Sequence, residues 1–336
     1  MFKTLIVGAG GMGKAWGDNL KKNPETEIVG WVDIRPEAAR NAAAERELDD
    51  IHIGDDLGEA IRETKPDFVV DVTVPEAHHD VTLTALNAGI PVLGEKPMAA
   101  SMEQAKEMVA AAEKSGKLYM VSQSRRYDAR LHAYRKLIDQ AIGEIGILNS
   151  DFYIGAHFGG FRDEMPSPLV LDMAIHTFDT ARYLCQRKPL AVYCEEFNPA
   201  WSWYKGDASA MAIFEMEGGL RYTYRGSWCA EGMMTSWECE WRAVGPKGTA
   251  IWDGDNLIEA EKVVETGGFH SKMQAEDILP VSMTPGGIAG SLLDFLNALK
   301  TDATPMGECH DNIQSLAMVF GAIESSHTKQ RVKIAL

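Results

Sequence analysis

The stretch from Lys3 to Gly13 constrains the fold of this chain more than any other feature. A mostly apolar, β-forming run, Lys3 to Val7, leads directly into a G-x-G-x-x-G pattern. In such a pattern Gly8 permits a tight turn, Gly10 lets a pyrophosphate approach the backbone, and Gly13 lets the following helix pack closely against its strand. The N–H groups at the start of that helix then face the phosphates. The residues predicted to contact a dinucleotide here are Gly8, Gly10, Gly11, Met12 and Gly13.

A second strand and an acidic residue extend this pattern. The strand from Glu27 to Val32 ends at Asp33, which lies 20 residues after Gly13. That spacing is close to the roughly 20 residues expected for the acid that binds the ribose in a dinucleotide site. The Asp33 carboxylate would accept hydrogen bonds from free ribose hydroxyls and repel a 2′-phosphate, so NAD is predicted. Arg35 could pair with such a phosphate, which leaves NADP open. A βαβ unit without a ligand is the alternative interpretation.

Length and charge limit what this site can belong to. At 336 residues, the chain exceeds the length of about 250 to 300 residues at which single cores usually split, so two domains are expected. A formal net charge of −16 repels nucleic acids and anionic lipid surfaces. We therefore expect a small-molecule substrate, no nucleic acid and no membrane partner.

Cysteine usage and hydropathy point to the cytoplasm. The five cysteines are too widely spaced for a C-x-x-C metal or redox motif, which indicates reduced thiols. No apolar run approaches the ~18 residues of a membrane helix. The first strand begins without a signal-peptide pattern. A cytoplasmic protein is therefore expected.

Helices and short apolar strands alternate through the first third of the chain. Strands are predicted over residues 67–72, 91–93 and 118–121, and helices over 36–48, 55–63, 76–88 and 101–116. This alternation predicts an α/β fold with a doubly wound parallel sheet, whose ligands bind at the carboxyl ends of the strands. Thr73 and the Glu95-Lys96-Pro97 step lie at such ends. Proline there forces Lys96 into an extended conformation or permits a cis bond. The residues alone leave open whether this lysine does chemistry or lies on a surface loop.

A later helix, predicted from Leu169 to Leu184, carries three polar groups on one stripe. Asp172, His176 and Asp179 stand at positions i, i+4 and i+7 of an otherwise apolar helix. Ionisable groups in such surroundings need partners or a wet cavity, so they are candidates for a functional site. A satisfied core histidine is one alternative. A shared metal ion is another, but no further ligand is evident and no metal is expected.

From residue 190 to 262 the chain alternates short strands with closely spaced turns, including Gly218-Gly219 and Pro246-Lys247-Gly248. Such spacing predicts an antiparallel sheet. Two amphipathic helices follow, one after Thr284-Pro285 and one from Asp311 to Ser326. They are expected to return and pack on the sheets.

Five motifs follow one another in order along nearly the whole chain. They are the glycine pattern, Thr73 to His78, Ala88 to Pro97, Arg125-Arg126-Tyr127 and Asp172 to His176. Together they resemble the Gfo/Idh/MocA family, named for glucose-fructose oxidoreductase and inositol dehydrogenase. The resemblance implies an N-terminal Rossmann domain over residues 1–123. It also implies a substrate-binding and oligomerisation domain over residues 124–336, an α/β domain with an open, mostly antiparallel sheet, whose C-terminal helices could pack back on the first domain.

The resemblance also implies roles for individual residues. Ser124 stands where relatives tend to carry Asn, which weakens any contact expected from that position. Arg126 could hold a substrate hydroxyl or bridge the domains, and Trp201 and Trp228 could stack on a sugar or pack in the sheet. The implied catalytic group is Lys96, Asp172 and His176. Further cofactor contacts are expected from Asp33, Arg35, Thr73, His78, Glu95 and Lys96, and substrate contacts from Arg126, Tyr153, His157, Asp172 and His176.

The predicted reaction is reversible hydride transfer between NAD or NADP and a ring secondary alcohol of a sugar, glycoside or cyclic polyol. His176 would take the hydroxyl proton, Lys96 would polarise the oxygen, and Asp172 would orient His176 or bind a neighbouring hydroxyl. The acid–base roles of Lys96 and His176 could be exchanged. An NAD-retaining glycoside-cleaving enzyme acting by transient oxidation, and a non-catalytic dinucleotide-binding regulator, stay open. A homodimer or homotetramer through the second-domain sheet is expected.

Overall fold

The computed structural model describes all 336 residues, which form two compact units. The first comprises Met1–Ser124 with Pro285–Leu316, and the second comprises Arg125–Thr284 with Ala317–Leu336. The division of the chain into folding domains over 1–123 and 124–336 stays a prediction. None of the helices combines the length and apolar character that a membrane crossing requires.

The first unit is built on six parallel strands in the order β3-β2-β1-β4-β5-β6. This order, with a helix between every two successive strands, confirms the predicted doubly wound Rossmann sheet. The strands are β1 (Phe2–Val7), β2 (Thr26–Val32), β3 (His52–Gly54), β4 (Phe68–Asp71), β5 (Val92–Glu95) and β6 (Tyr119–Ser122). The helices are α1 (Gly11–Lys22), α2 (Pro36–Ala44), α3 (Leu57–Thr64), α4 (Pro75–Asn87) and α5 (Met102–Ser115), with α9 (Gly287–Thr301) added from the end of the chain.

Local sequence explains where helices α3 and α5 begin. The side chain of Asp56 accepts a hydrogen bond from the Glu59 N–H at 2.8 Å, and that of Ser101 accepts one from the Gln104 N–H at 3.2 Å. These are N-caps that satisfy donors the helix start leaves unpaired. Strand β3 was not predicted, because three half-buried residues are too few to show a period.

The second unit is built on a nine-stranded sheet in the order β14-β13-β12-β11-β7-β10-β9-β8-β15. Every neighbouring pair is antiparallel except β7 with β10, which confirms the open, mostly antiparallel sheet. The strands are β7 (Ile147–Tyr153), β8 (Pro189–Phe197), β9 (Ser209–Met216), β10 (Arg221–Ser227), β11 (Glu240–Gly245), β12 (Gly248–Trp252), β13 (Ile258–Glu265), β14 (Lys272–Ala275) and β15 (Val332–Lys333). The helices are α6 (Ala129–Ala141), α7 (Phe161–Glu164), α8 (Ile175–Cys185) and the long α10 (Cys309–Thr328), within which the division between the units falls. Short 3-10 turns cover Ser124–Tyr127 and Glu217–Gly219.

The structure corrects two predicted elements close to the candidate site. The alternating residues from Ile147 to Phe158 predict one strand, but strand β7 ends at Tyr153, and the loop that follows it contains α7. The helix expected over Leu169 to Leu184 opens with a π-helical turn, Leu169–Ala174, and becomes α-helical only in α8. Such widened turns occur frequently at functional sites, and a 3.6-residue sequence period does not reveal them.

One face of the second sheet is covered by α8. The Phe178 ring of α8 packs against Phe214 at 4.8 Å and against Tyr224 at 5.3 Å, measured between ring centroids. On β7 the side chain of Phe152 lies on this covered face, whereas Asp151 and Tyr153 alternate to the other face. The alternation therefore separates Tyr153 from the side of the sheet that carries α8.

Candidate active site

The loop from Gly8 to Gly13 has the geometry of a phosphate site. Gly8 adopts a φ of +104°, and a Cβ there would lie 2.6 Å from the Val72 carbonyl oxygen. A Cβ on Gly13 would lie 2.2 Å from the Gly8 carbonyl oxygen, whereas one on Gly10 would meet nothing within 4 Å. The first and third glycines are therefore required by packing. The second leaves the open space that a bound pyrophosphate needs.

Asp33 is held firmly at the carboxyl end of β2. Its Oδ2 atom accepts a hydrogen bond from the Ala9 N–H at 2.8 Å, and its Oδ1 atom accepts one from the Arg35 N–H at 2.9 Å. The Arg35 side chain is 77% exposed and its Nε lies 3.9 Å from the carboxylate. A fixed carboxylate beside an open glycine loop fits the ribose of NAD, while the guanidinium remains on the surface.

A buried cluster lies at the end of β4. The Thr73 hydroxyl donates to Asp71 Oδ1 at 2.6 Å, and His78 Nδ1 forms an ion pair with Asp71 Oδ2 at 2.9 Å. Burial opposes charge on His78, but the Asp71 carboxylate outweighs it and raises the pKa of the imidazole. His78 is only 2% exposed, so its geometry supports a role in holding Thr73 rather than a direct cofactor contact. Sequence reasoning missed Asp71, although a carboxylate ending an apolar strand was a visible signal.

The end of β5 carries Glu95 and Lys96. The Trp16 indole donates to Glu95 Oε1 at 2.7 Å, and the Lys96 N–H donates to Glu95 Oε2 at 3.2 Å. Burial raises the pKa of Glu95, although the Trp16 hydrogen bond and the Lys96 charge oppose that rise. The peptide between Lys96 and Pro97 is cis. Glu95 is thus occupied in fixing the backbone at Lys96, and its geometry gives little support to a direct cofactor contact.

In the second unit the predicted polar stripe divides into two parts. Asp179 is buried and receives two hydrogen bonds from Arg126, both of 2.7 Å. Asp172 and His176 are half-buried, and Asp172 Oδ2 accepts a hydrogen bond from Arg162 Nε at 2.6 Å. Arg126 is 6% exposed, so its contacts favour the structural role over the substrate role. Arg162 was not singled out from the sequence, because nothing local connects a loop arginine with a helix ten residues later.

The remaining predicted substrate residues lie in different surroundings. Tyr153 shares the face of the sheet with Asp151, away from α8, so its placement does not support contact with a substrate at Asp172. The His157 ring stacks on Trp203 with centroids 3.7 Å apart, and its Nε2 lies 2.8 Å from Glu231 Oε1. His157 nevertheless keeps a side chain that is 60% exposed.

The two tryptophans considered for stacking differ in exposure. Trp228 is only 2% exposed and packs against Phe158 and Tyr204, so it belongs to the core of the unit. Trp201 is 74% exposed, and its indole N–H donates to the Cys229 carbonyl oxygen at 3.3 Å. Only Trp201 offers an accessible ring face.

One group of potential metal ligands lies outside this site, at the start of α10. Donor atoms of Glu308, Cys309 and His310 fall within 4.8 Å of one another. They already bond to each other, because His310 Nδ1 lies 2.7 Å from Glu308 Oε1 and the Cys309 thiol donates to the same oxygen at 3.0 Å. The cluster is satisfied internally.

Comparison with known proteins gives matches along most of the chain. Residues 2–123 match the GFO/IDH/MocA model described as an oxidoreductase family with an NAD-binding Rossmann fold, and residues 131–251 match the GFO/IDH/MocA C-terminal domain. A 1,5-anhydro-D-fructose reductase from Ensifer adhaerens is 25% identical over 338 residues, covering 98% of this chain and 97% of that protein. An inositol 2-dehydrogenase from Rhizobium meliloti is 24% identical over 352 residues, covering 98% of each.

The fold also matches solved structures. An oxidoreductase from Agrobacterium radiobacter, crystallised with NAD+, L-tartaric acid and magnesium, superposes with a TM-score of 0.85 at 19% identity. The match covers 99% of this chain and 98% of that one. At this level of identity the likeness establishes a shared fold.

Proposed function

Because this chain belongs to the Gfo/Idh/MocA family and is an NAD-binding oxidoreductase, we propose that it is a dehydrogenase of ring secondary alcohols in sugars, glycosides or cyclic polyols. The observation that carries the proposal is a pair of half-buried polar side chains, Asp172 and His176, four residues apart where the π-helical turn passes into α8. A non-catalytic dinucleotide sensor has no need of such a pair. We assign the catalytic group to Lys96, Asp172 and His176.

The first unit would hold NAD through the open backbone at Gly10, the fixed Asp33 carboxylate and the Thr73 hydroxyl. Bound NAD+ supplies the hydride acceptor for oxidation of the alcohol carbon. His176 takes the hydroxyl proton as that oxygen becomes a carbonyl, and the Lys96 ammonium stabilises the growing negative charge on it. Exchange of these two roles stays open. Asp172 orients His176 or binds a neighbouring hydroxyl.

The nature of the substrate is inferred from relatives and from the chemistry of the second unit. Two relatives bear the names of a reductase of an anhydrosugar and a dehydrogenase of inositol. The exposed Trp201 ring offers an apolar face of the kind that packs on the C–H groups of a pyranose. The net charge of −16 disfavours a sugar phosphate, which would need several basic groups at the mouth of the site.

We further propose that the uncovered face of the second sheet forms a homodimer or homotetramer interface. It carries a concavity of about 920 Å³ whose lining includes Tyr193, Met211, Ile213 and Leu257. Met211 and Ile213 are each 52% exposed, and they project from the same face of β9 because they stand two residues apart. Exposed apolar side chains grouped on one sheet face, beside charged ones such as Asp151 and Arg225, are typical of an association site.

The test follows nicotinamide absorbance with neutral sugars, glycosides, inositols, sugar phosphates and 2-hydroxy acids. Turnover of neutral ring alcohols with NAD is the expected result. Turnover confined to the phosphates or hydroxy acids would refute the substrate proposal. Titration with NAD and with NADP tests the role of Asp33. If NADP bound tenfold more tightly than NAD, a difference of about 1.4 kcal/mol in binding free energy, Arg35 would be the dominant contact.

A further inference from the structure

The loop between β7 and the π-helical turn doubles back onto the helix that carries Asp172. Gly159 and Gly160 adopt φ values of +67° and +69°, in the left-handed region that favours glycine, and a Cβ on either would meet nothing within 4 Å. These positions therefore favour glycine because of their backbone conformation. Lack of space for a side chain is not the reason. Immediately after it, α7 presents Arg162 to Asp172.

Three groups fix the Arg162 guanidinium. Its Nε donates to Asp172 Oδ2 at 2.6 Å. Its Cζ lies 5.0 Å from the centroid of the Phe158 ring and 4.8 Å from that of the Phe161 ring. Charge-assisted hydrogen bonds of this length are about twice as strong as neutral ones, and cation–π contacts further limit the freedom of a planar guanidinium. We call Phe158, Phe161, Arg162 and Asp172 the arginine clasp.

The clasp is more than a surface ion pair. The Asp172 side chain is 16% exposed and that of Arg162 is 32% exposed, so solvent screens their interaction only in part. An ion pair between fully exposed side chains stabilises a protein by only about 0–1 kcal/mol. Water screens the two charges, and both side chains lose conformational freedom when they pair. Here the guanidinium also lies over the Phe158 and Phe161 rings, and these contacts restrict its freedom.

We infer that Arg162 is a positioning residue for catalysis, which holds the Asp172 carboxylate in one orientation and keeps a positive charge beside it. This inference rests on the proposed function, because it gives Asp172 its catalytic role. Asp172 in turn needs a fixed orientation to align His176 or to select a substrate hydroxyl. A mispositioned catalytic group lowers turnover even when the fold is intact.

The loop has a second anchor that does not involve Arg162. The Lys205 ammonium lies 2.5 Å from Glu164 Oε2, and the Lys205 N–H donates to the Asp163 carbonyl oxygen at 2.9 Å. The Asp207 N–H donates to the Pro166 carbonyl oxygen at 2.8 Å. Replacement of Arg162 should therefore leave the loop folded, which makes a kinetic test meaningful.

The experiment compares Arg162→Met, Arg162→Lys, Asp172→Asn and the double variant Arg162→Met/Asp172→Asn, using the substrate found for the wild type. Arg162→Met should lower kcat/KM about 10- to 100-fold, the loss expected for a charge-assisted hydrogen bond. In a plot of kcat/KM against pH, the acid limb of this variant should move to higher pH. The reason is that a nearby positive charge favours the ionised carboxylate, and the variant lacks that charge. Arg162→Lys should recover part of the rate.

The double variant separates positioning from a general effect on the fold. In the Asp172→Asn background, loss of Arg162 should change kcat/KM less than threefold. The inference would be overturned if the losses of kcat/KM in the two single variants added fully in the double variant. It would also be overturned if the acid limb of the kcat/KM profile did not move in Arg162→Met. Arg187→Met is the matched control, because it removes another arginine–carboxylate contact, Arg187 Nη2 to Glu144 Oε1 at 2.5 Å, and should leave kinetics unchanged.

The two proposals fail in different ways. If the wild type oxidises no member of the panel, the proposed function fails and the clasp is then tested by hydrogen exchange. In that case Arg162→Met and Asp172→Asn should raise exchange at the Asp163 amide, which bonds to the Gly160 carbonyl oxygen, to the same degree, while the Lys205 and Asp207 amides that anchor the loop keep their protection. Unchanged protection in both variants would overturn the clasp itself.

Discussion

At the scale of single residues, this chain fixes the groups proposed for chemistry by hydrogen bonds from their neighbours. Asp33 is oriented by two backbone N–H groups, and the backbone at Lys96 is oriented by Glu95. Groups that are already fixed in this way need little free energy of reorganisation when a ligand binds. Their variants should therefore separate loss of chemistry from loss of folding.

Removal of either proposed acid–base group should abolish most turnover and leave cofactor binding almost intact. Lys96→Ala and His176→Ala are each expected to lower kcat by roughly 10²- to 10⁴-fold, the contribution of a positioned acid or base. Steady-state kinetics and NAD titration by tryptophan fluorescence measure the two effects. Lys106→Ala, an exposed lysine on α5, is the control. Folded variants with near wild-type kcat would show that the catalytic assignment is wrong.

Glu196 on β8 makes the stability of the protein depend on pH. It is 5% exposed, and burial, reinforced by the charge of Asp207, raises its pKa from 4.5 to about 7. A raised carboxyl pKa means that the neutral form stabilises the fold. This contribution is fully present below about pH 4.5 and is lost as the pH rises through 7.

Glu196→Gln should therefore raise the unfolding temperature at pH 8. The gain corresponds to about 3 kcal/mol at most, since one pKa unit equals about 1.4 kcal/mol. The difference from wild type should shrink toward zero near pH 4.5. Thermal denaturation at pH 8, 6 and 4.5 measures it, with the exposed neighbour Glu195→Gln as control. An equal gain at all three pH values would contradict the role of ionisation.

At the scale of the element, the turn from β1 into α1 separates packing from ligand binding among its glycines. Gly13→Ala should destabilise the fold by about 1–3 kcal/mol or more, because its Cβ would meet a backbone oxygen at 2.2 Å. Gly10→Ala should leave stability unchanged but weaken NAD binding at least tenfold, because the methyl group would occupy the pyrophosphate position.

Gly146→Ala is the control for both effects. Its Cβ would lie 3.9 Å from the Val244 carbonyl oxygen, an ordinary van der Waals distance, and the residue belongs to the second unit. It should retain both stability and affinity. Denaturant unfolding and NAD titration on the three variants distinguish the roles. Retained NAD affinity in Gly10→Ala would refute the phosphate-site interpretation of this turn.

At the scale of the whole molecule, the proposed assembly depends on the uncovered face of the second sheet. Ile213→Glu should shift the protein toward monomers in sedimentation velocity, because a charge buried without a partner opposes association. Circular dichroism should be unchanged, since Ile213 is half-exposed in the single chain. Leu293→Glu on α9 of the first unit, 37% exposed, is the control. A wild type that stays monomeric at micromolar concentration would defeat the assembly proposal.

The sequence by itself determined the features that depend on short stretches of backbone. The glycine pattern before α1, the position of Asp33 and the alternation of helices with apolar strands predicted the parallel sheet that the structure contains. Closely spaced turns predicted the second, mostly antiparallel sheet. These properties follow from local geometry, because a turn, a cap or a side-chain period is specified by residues within a few positions of one another.

Only the tertiary structure decided which distant groups meet. Glu95 pairs with Trp16 across 79 positions of the sequence, and Arg162 reaches Asp172 through a loop that doubles back at two glycines. The π-helical turn and the separation of Tyr153 from α8 were equally absent from the sequence patterns. Such contacts depend on how whole elements pack against one another. Close packing selects one arrangement from many that satisfy the same local preferences.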